Sequence, residues 1–369
     1  MRRGRFRSQK ASIDKGLLAI ALGLTFIGLV AVADASAPQA LNVFADKYYF
    51  IKQQLVWAVL GLIALFVSSK INYKFWSKIA TPLFLFSVLL LILVLIPGIG
   101  VKVMGARRWI SIGSFYFQPS ELIKFSLAIF MAKFITSRKP SLYYLAPLVL
   151  VGGLIMLEPD LGTTLVIAFS AMAQIFVSGL SIWHFLMAVL GGGLSVFLLI
   201  ITSNYRRLRL MTFFEQTADP LGRGYHIRQI LLALGSGGFF GIGLGQSRQK
   251  YLFLPEAATD SIFAVIAEEM GFLGAIVLIS LFVLFVYKCF KIIKSAPDDF
   301  SKILALGLAV WLGGQALLNM GSIVAVVPLT GIPLPFVSYG GSSLITALLA
   351  TGILLNISKH ARKTKERKN

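Results

Sequence analysis

Residues 16–35 read GLLAIALGLTFIGLVAVADA, twenty positions carrying one charged side chain, Asp34. A helix of ~20 mainly apolar residues crosses the hydrocarbon core of a bilayer, so this stretch is read as a membrane span. Runs of the same kind recur at about 53–69, 79–97, 119–136, 143–158, 162–180, 184–203, 261–287, 303–327 and 339–358. Only Glu158-Pro159-Asp160-Leu161-Gly162 separates the fifth run from the sixth. The expected fold is all-α, a polytopic membrane protein of about ten transmembrane helices. One membrane domain, 16–358, lies between basic tails at 1–15 and 359–369, and no stretch is left for a soluble domain.

Composition agrees. Of 369 residues, 57% are apolar and 14% charged, where soluble domains average roughly 25% charged. A net charge of +20 would suggest nucleic acid in a soluble protein. Here much of it sits in the tails and short loops, so it is read as topology and no nucleic-acid partner is expected. The single Cys289 excludes internal disulfides and a cysteine metal site, and His184, His226 and His360 are too scattered to suggest zinc. No organic cofactor is expected. Arg2, Arg3, Arg5 and Arg7 precede an apolar run too long for a signal peptide.

With the N-terminus inside, the tails and inner loops hold 22 lysines and arginines and the outer loops 12. The positive-inside rule therefore places both ends in the cytoplasm. Nine of the twelve outer basic residues fall between 107 and 250, among them Arg107, Arg108, Arg223, Arg248 and Lys250. The larger outer segment, about 204–260 between spans seven and eight, is too long for a simple turn. Its Ile227, Ile230, Leu231 and Leu234, followed by Gly235-Ser236-Gly237-Gly238, predict an interfacial amphipathic helix ending in a glycine-rich bend. Positive charge on the outer face suits a lipid phosphate, and non-specific contact with anionic headgroups would use it equally well.

Charged groups in or beside spans are costly, so each is a functional candidate. Asp260 ends the run Pro255-Glu256-Ala257-Ala258-Thr259-Asp260 at the mouth of the eighth span, as a general base or as a helix cap. Glu121 and Lys124, three apart after Gln118-Pro119-Ser120, share a helix face and form either a working pair or a packing lock. Glu158 and Asp160 flank a proline break and could hold a divalent cation or cap a helix. The segment from Pro328 to Ser343 has three prolines within eight residues, so it is irregular backbone at membrane depth. Its Ser338, Ser342 and Ser343 could meet a polar headgroup, or could serve close packing together with Gly340 and Gly341. Glu268 and Glu269 are further carboxylates inside a span, with no role evident from the sequence.

The stretch Gly243-Leu244-Gly245-Gln246-Ser247-Arg248-Gln249-Lys250-Tyr251-Leu252-Phe253-Leu254-Pro255-Glu256 resembles the division branch of the SEDS family, whose members are FtsW, RodA and SpoVE. So do Ala106-Arg107-Arg108-Trp109-Ile110, Gln118-Pro119-Ser120-Glu121, Glu158 to Thr163, Ala233 to Gly238 and Leu334 to Ser343. Against this, Ile332-Pro333-Leu334-Pro335 resembles the elongation branch, RodA. The resemblance implies a peptidoglycan glycosyltransferase that polymerises lipid II on the outer face of the bacterial cytoplasmic membrane. Its implied partners are a class B penicillin-binding protein transpeptidase and other divisome membrane proteins, and its implied place is the division septum. The family aspartate falls on Asp260, the membrane-embedded pair on Glu121 and Lys124, and the carboxylate at the helix break on Asp160. In the family a histidine stands two residues before that aspartate and a phenylalanine after it; here they are Ala258 and Ser261, so that histidine cannot be required.

The expected site follows. Asp260 is the catalytic base, and Arg107, Arg108, Glu121, Lys124, Arg248, Lys250, Ser338 and Ser342 bind the substrate. Asp160 is the expected ligand of a divalent cation, Mg or Mn. A lipid II flippase would place its polar groups along a path through the membrane, whereas these motifs gather towards one face. A pure scaffold would need none of the buried carboxylates.

Overall fold

The structure, a computed structural model, describes residues 13–103, 105–113, 115–137, 141–179, 181–214 and 224–368. Most of the expected basic tail at 1–15, and Arg223 of the large outer loop, lie outside the described residues. The first half contains α1 (Lys15–Ala35), α2 (Ala37–Phe44), α3 (Tyr49–Lys70), α4 (Tyr73–Leu95), strands β1 (Gly100–Val103), β2 (Ala106–Ile112) and β3 (Phe115–Phe117), α5 (Pro119–Thr136) and α6 (Leu145–Leu157). The second half contains α7 (Leu161–Val177), α8 (Ile182–Thr202), α9 (Asn204–Phe214), α10 (Tyr225–Gly237), α11 (Ile262–Lys294), α12 (Asp299–Ile323) and α13 (Gly341–Lys368).

Ten of these helices, α1, α3 to α8 and α11 to α13, fall on the ten expected spans. Among the described residues seven are long and apolar enough to cross a membrane, and α6 and α7 are shorter apolar helices. The tenth, α5, carries Glu121, Lys124 and Lys133 within 18 residues. The helix ends are locally encoded. Asp14 caps α1 by accepting from the Leu17 amide, and Asn72 caps α4 through the Lys74 amide. Asp298 and Ser301 form a reciprocal capping box on α12, and Pro119 takes the first turn of α5.

The centre of the bundle is α12, which packs against α5, α7 and α11, while α13 lies along α3. That last contact is close because Gly352 lets the Leu65 carbonyl and the Ser68 hydroxyl of α3 approach, and that hydroxyl donates to the Leu349 carbonyl at 3.1 Å. Small residues and a polar bond are how helices associate where lipid removes the hydrophobic drive. By contrast, none of the residues of α8 is buried.

Two features depart from a plain helical bundle. First, the segment after α4 is a three-stranded antiparallel sheet in the order β1-β2-β3, with Gly100 opposite Ile110 and Ile110 opposite Phe117. Its alternation of aliphatic or aromatic residues with polar ones, punctuated by Gly105 and Gly113, is a strand signal that a hydropathy reading passes over. Second, α11 is broken at Gly271, whose φ of 67° a side chain would resist. The glycine-rich segment after α10 repairs the break. Its Ile242 and Gly243 amides donate to the Glu268 and Glu269 carbonyls at 3.1 and 3.0 Å, and the Phe272 and Leu273 amides donate back to Gly238 and Phe239. Freed backbone groups at membrane depth are thus satisfied by protein, as they must be.

Candidate active site

Asp260 lies at the end of a turn leading into α11, half-buried. Three consecutive carbonyls there are each held by a different donor. The Tyr339 amide donates to Ala258 O at 2.9 Å, the Ser338 hydroxyl to Thr259 O at 2.6 Å, and the Asn319 side-chain amide to Asp260 O at 2.9 Å. The Ser261 amide closes the turn on the Glu256 carbonyl at 3.0 Å, with Glu256 in a left-handed conformation at φ 51°. The Ser261 hydroxyl, fully buried, meets His226 Nε2 of α10 at 2.9 Å. A main chain pinned at this many points fixes where the Asp260 carboxyl can go, which is the preorganisation a catalytic group needs.

From Asp260 a column of polar contacts runs inward along α12. Asn319 also donates to the Ile332 carbonyl at 2.8 Å. One turn further in, Gln315 donates to the Pro333 carbonyl at 2.8 Å and accepts from Lys124 Nζ at 2.7 Å and from the Trp311 indole at 3.0 Å. Lys124 Nζ pairs with Glu121 at 2.7 Å, both side chains all but inaccessible. The other Glu121 oxygen and the Ser120 hydroxyl are buried with no partner. An unmet acceptor on a buried ionisable side chain is costly and marks a site. The irregular segment expected from the prolines is what reaches α12, through the carbonyls of Ile332 and Pro333.

A second cluster joins α1, α11 and the segment after α10. Lys250 is buried and pairs with Asp34 of α1 at 2.6 Å and with Glu269 of α11 at 2.9 Å. Glu269 also accepts from the Ser247 amide at 3.0 Å. Glu268 accepts from the Ser247 hydroxyl, from the Arg248 amide and from Ser236 of α10. The role the sequence left open for Glu268 and Glu269 is to fasten the 243–250 segment and α10 to the broken helix.

Asp160 caps α7, its carboxylate accepting from the Thr163 amide at 2.9 Å and the Thr163 hydroxyl at 2.8 Å. Arg108 of β2 spans the same turn, donating to the carbonyls of Glu158 and Pro159 at 2.9 and 2.8 Å. Glu158 is wholly buried and neither of its carboxyl oxygens has a partner.

Several of the residues expected to bind substrate are bonded within the protein. Lys250 is spent on two carboxylates, Arg108 on two carbonyls and Ser338 on the Asp260 turn, while Ser342 accepts the Gln118 amide at 3.1 Å. Buried polar groups this well satisfied have structural work. Arg248 keeps an exposed side chain, and Arg107 stands opposite Lys102 in the β1–β2 register. Like charges directly across a sheet repel, which favours an anion between or beside them. Gln315, Asn319 and His226 were not singled out in the sequence. The first two are four apart in an apolar span, hence on one face, and that spacing is a signal.

A family model described as cell cycle protein, FtsW/RodA/SpoVE, matches residues 15–363. The chain belongs to that family. It is 42% identical, over 94% of its length and 93% of the relative's, to a probable peptidoglycan glycosyltransferase FtsW of Trichlorobacter lovleyi. It is 40% identical to the stage V sporulation protein E of Bacillus subtilis, over 96% of this chain and 99% of that one. Among solved structures it is similar to a chain of a peptidoglycan synthase complex described for its coordination of polymerization and crosslinking. That match has a TM-score of 0.79 and 30% identity, and covers 95% and 98% of the two chains. It is also similar to the rod shape determining protein RodA of Thermus thermophilus, TM-score 0.69 and 30% identical, over 94% and 96% of the two chains.

Proposed function

We propose that this family member is a peptidoglycan glycosyltransferase that polymerises lipid II at the outer face of the cytoplasmic membrane during division. Asp260 takes the proton from the 4-hydroxyl of the acceptor glucosamine. That oxygen attacks the anomeric carbon of the donor with inversion, the glycosidic bond forms, and undecaprenyl pyrophosphate leaves with the electron pair of the broken bond. The observation that carries this reading is the clamping of Ala258, Thr259 and Asp260 by three separate donors. Lys124 and Glu121 of α5, joined to the α12 column through Gln315, hold the site in shape or meet the pyrophosphate. Arg107 and Arg248 supply positive charge at the outer surface.

Glu158 and Asp160 are hard oxygen donors, and the unpartnered oxygens of Glu158 fit a cation such as Mg or Mn. Among the described residues no group of three or more histidines, cysteines or acidic residues could hold a metal. An ion bound by one or two carboxylates is completed by water and substrate phosphates. Bound there, it would supply charge to the departing pyrophosphate.

A division role is supported by relatives named FtsW near 40% identity, against 30% for the RodA structure. A class B penicillin-binding protein is the partner that the similarity to a peptidoglycan synthase complex supports, with both termini of this chain in the cytoplasm and the complex at the septum. The deciding experiment is polymerisation of purified lipid II by wild type and Asp260→Asn, each with and without the transpeptidase. Glycan strands from the wild type alone establish the base. Polymer from both proteins would remove Asp260 from that role.

A further inference from the structure

Four contacts fix the Asp260 turn through its neighbours, and three of them come from the bundle core. Asn319 belongs to α12, while Ser338 and the Tyr339 amide belong to the irregular segment before α13. The fourth is different in origin. His226 stands in the first turn of α10, the amphipathic helix of the large outer loop, and reaches Ser261 Oγ at 2.9 Å. Ser261 is the hinge residue of the turn. Its amide bonds back to Glu256, its carbonyl accepts the Ala264 amide at 2.9 Å to begin α11, and its side chain is fully buried.

The seating of α10 makes this contact a geometric constraint. Ile227, Ile230 and Ala233 are buried against the bundle, and Gly237 lies against the α11 backbone at Ala267. Ser236 adds a bond to Glu268 at 3.3 Å. The helix is thus fixed to α11 at its C-terminal end by Ser236 and Gly237, and at its N-terminal end His226 grips the residue next to Asp260. A hydroxyl and an imidazole exchange one hydrogen bond whichever of the two donates.

We infer that His226 is a positioning residue for the reaction: through Ser261 it sets the placement of Asp260 and ties that placement to the seating of the outer helix. This inference rests on the reading of Asp260 as base. It touches neither substrate nor the proton in flight, so its removal loosens the turn without emptying the site. Misplacing a catalytic group by about 1 Å costs on the order of a hundredfold in rate.

The test is lipid II polymerisation by the full chain with its transpeptidase, for His226→Ala, Ser261→Ala and the double variant, with Asp260→Asn alongside. Each single variant is expected to lower kcat by about ten- to a hundredfold, with KM near wild type. The double variant should be no slower than the worse single one, because both remove the same bond. His226→Gln and Ser261→Thr, which keep a partner for that bond, should recover most of the rate. Thermal melting of each purified variant separates lost folding from lost positioning. Full activity of both single variants while Asp260→Asn is dead would overturn the positioning role and leave the base in place. Losses that multiply in the double variant, that track the melting temperature, or that the two conservative variants fail to recover, would also overturn it. Activity in Asp260→Asn would bring down the base and this inference together.

Discussion

Two lysines among the described residues are buried, and they are bonded in different ways. Lys250 meets two carboxylates, and one of those, Glu269, is itself bonded to a backbone amide; the neighbouring Glu268 takes two side-chain hydroxyls and another amide. Lys124 meets one carboxylate and one amide oxygen, under the Trp311 ring at 5.7 Å, and its partner Glu121 keeps one buried oxygen with nothing to accept from. Both are conspicuous as charge in an apolar sequence. Each network leaves one carboxylate oxygen unpartnered, Asp34 Oδ2 in the first and Glu121 Oε2 in the second. What separates them is what they bond, the first fastening a loop to α1 and α11 and the second sitting on the column that leads to Asp260.

The comparison is most sharply tested by removing each lysine. Lys250→Met leaves Asp34 and Glu269 without their counter-ion, and breaking one partner from a buried ionic group costs about 3–5 kcal/mol. The expected result is a large fall in melting temperature, with near-normal turnover in the fraction that remains folded. If turnover collapsed while the melt held, Lys250 would belong with Lys124 and the contrast would be gone.

The second experiment removes the other pair as a neutral unit. Lys124→Met with Glu121→Gln leaves no unpaired charge, so the melting temperature should move little. Polymerisation should fall by about 10²–10³, the scale for deleting one preorganised charge contact at a reacting centre. Retained activity would turn the pair into the packing lock that its spacing equally allowed.

These outcomes bear on how much of the molecule could be read from its residues. The ten helices were legible because bilayer thickness dictates the length of each apolar run. The α10 helix was legible from Ile227, Ile230 and Leu234 at helical spacing. The outer sheet was not, since Val101, Lys102 and Val103 carry a period of two that a hydropathy window averages away. Among site residues, Asp260 and the Glu121–Lys124 pair stood out as charge where charge is expensive. Lys250 stood out for the same reason, but sequence spacing cannot show that residues 34 and 269 converge on it. Ser338 was recognised as a hydroxyl in irregular backbone, yet its acceptor is a carbonyl of the Asp260 turn, a contact across 79 positions.

Between the two extremes lies Asn319, neutral but placed on the same column. Replacing it with leucine leaves the Asp260 and Ile332 carbonyls without their donor. Burying an acceptor unsatisfied costs about 1–3 kcal/mol. Stability should drop by that order, and kcat should fall with it because the base loses one of its holds. A loss of stability without a loss in kcat per folded molecule would detach α12 from the chemistry and leave Asp260 held by the remaining clamps alone.

The smallest effect is expected at Glu158, fully buried and, among the described residues, without a side-chain partner. Neither of its side-chain oxygens accepts a hydrogen bond from protein, and its hold on Arg108 is through its carbonyl, which any residue supplies. Glu158→Gln keeps shape and volume and breaks no side-chain hydrogen bond among the described residues, so stability should fall by no more than about 1 kcal/mol. What should change is the metal response. If the turn holds a divalent ion between Glu158 and Asp160, losing one of two carboxylates should raise the magnesium or manganese concentration for half-maximal polymerisation by about tenfold or more. The same metal titration in wild type and variant would place the ion elsewhere and remove Glu158 from the metal reading.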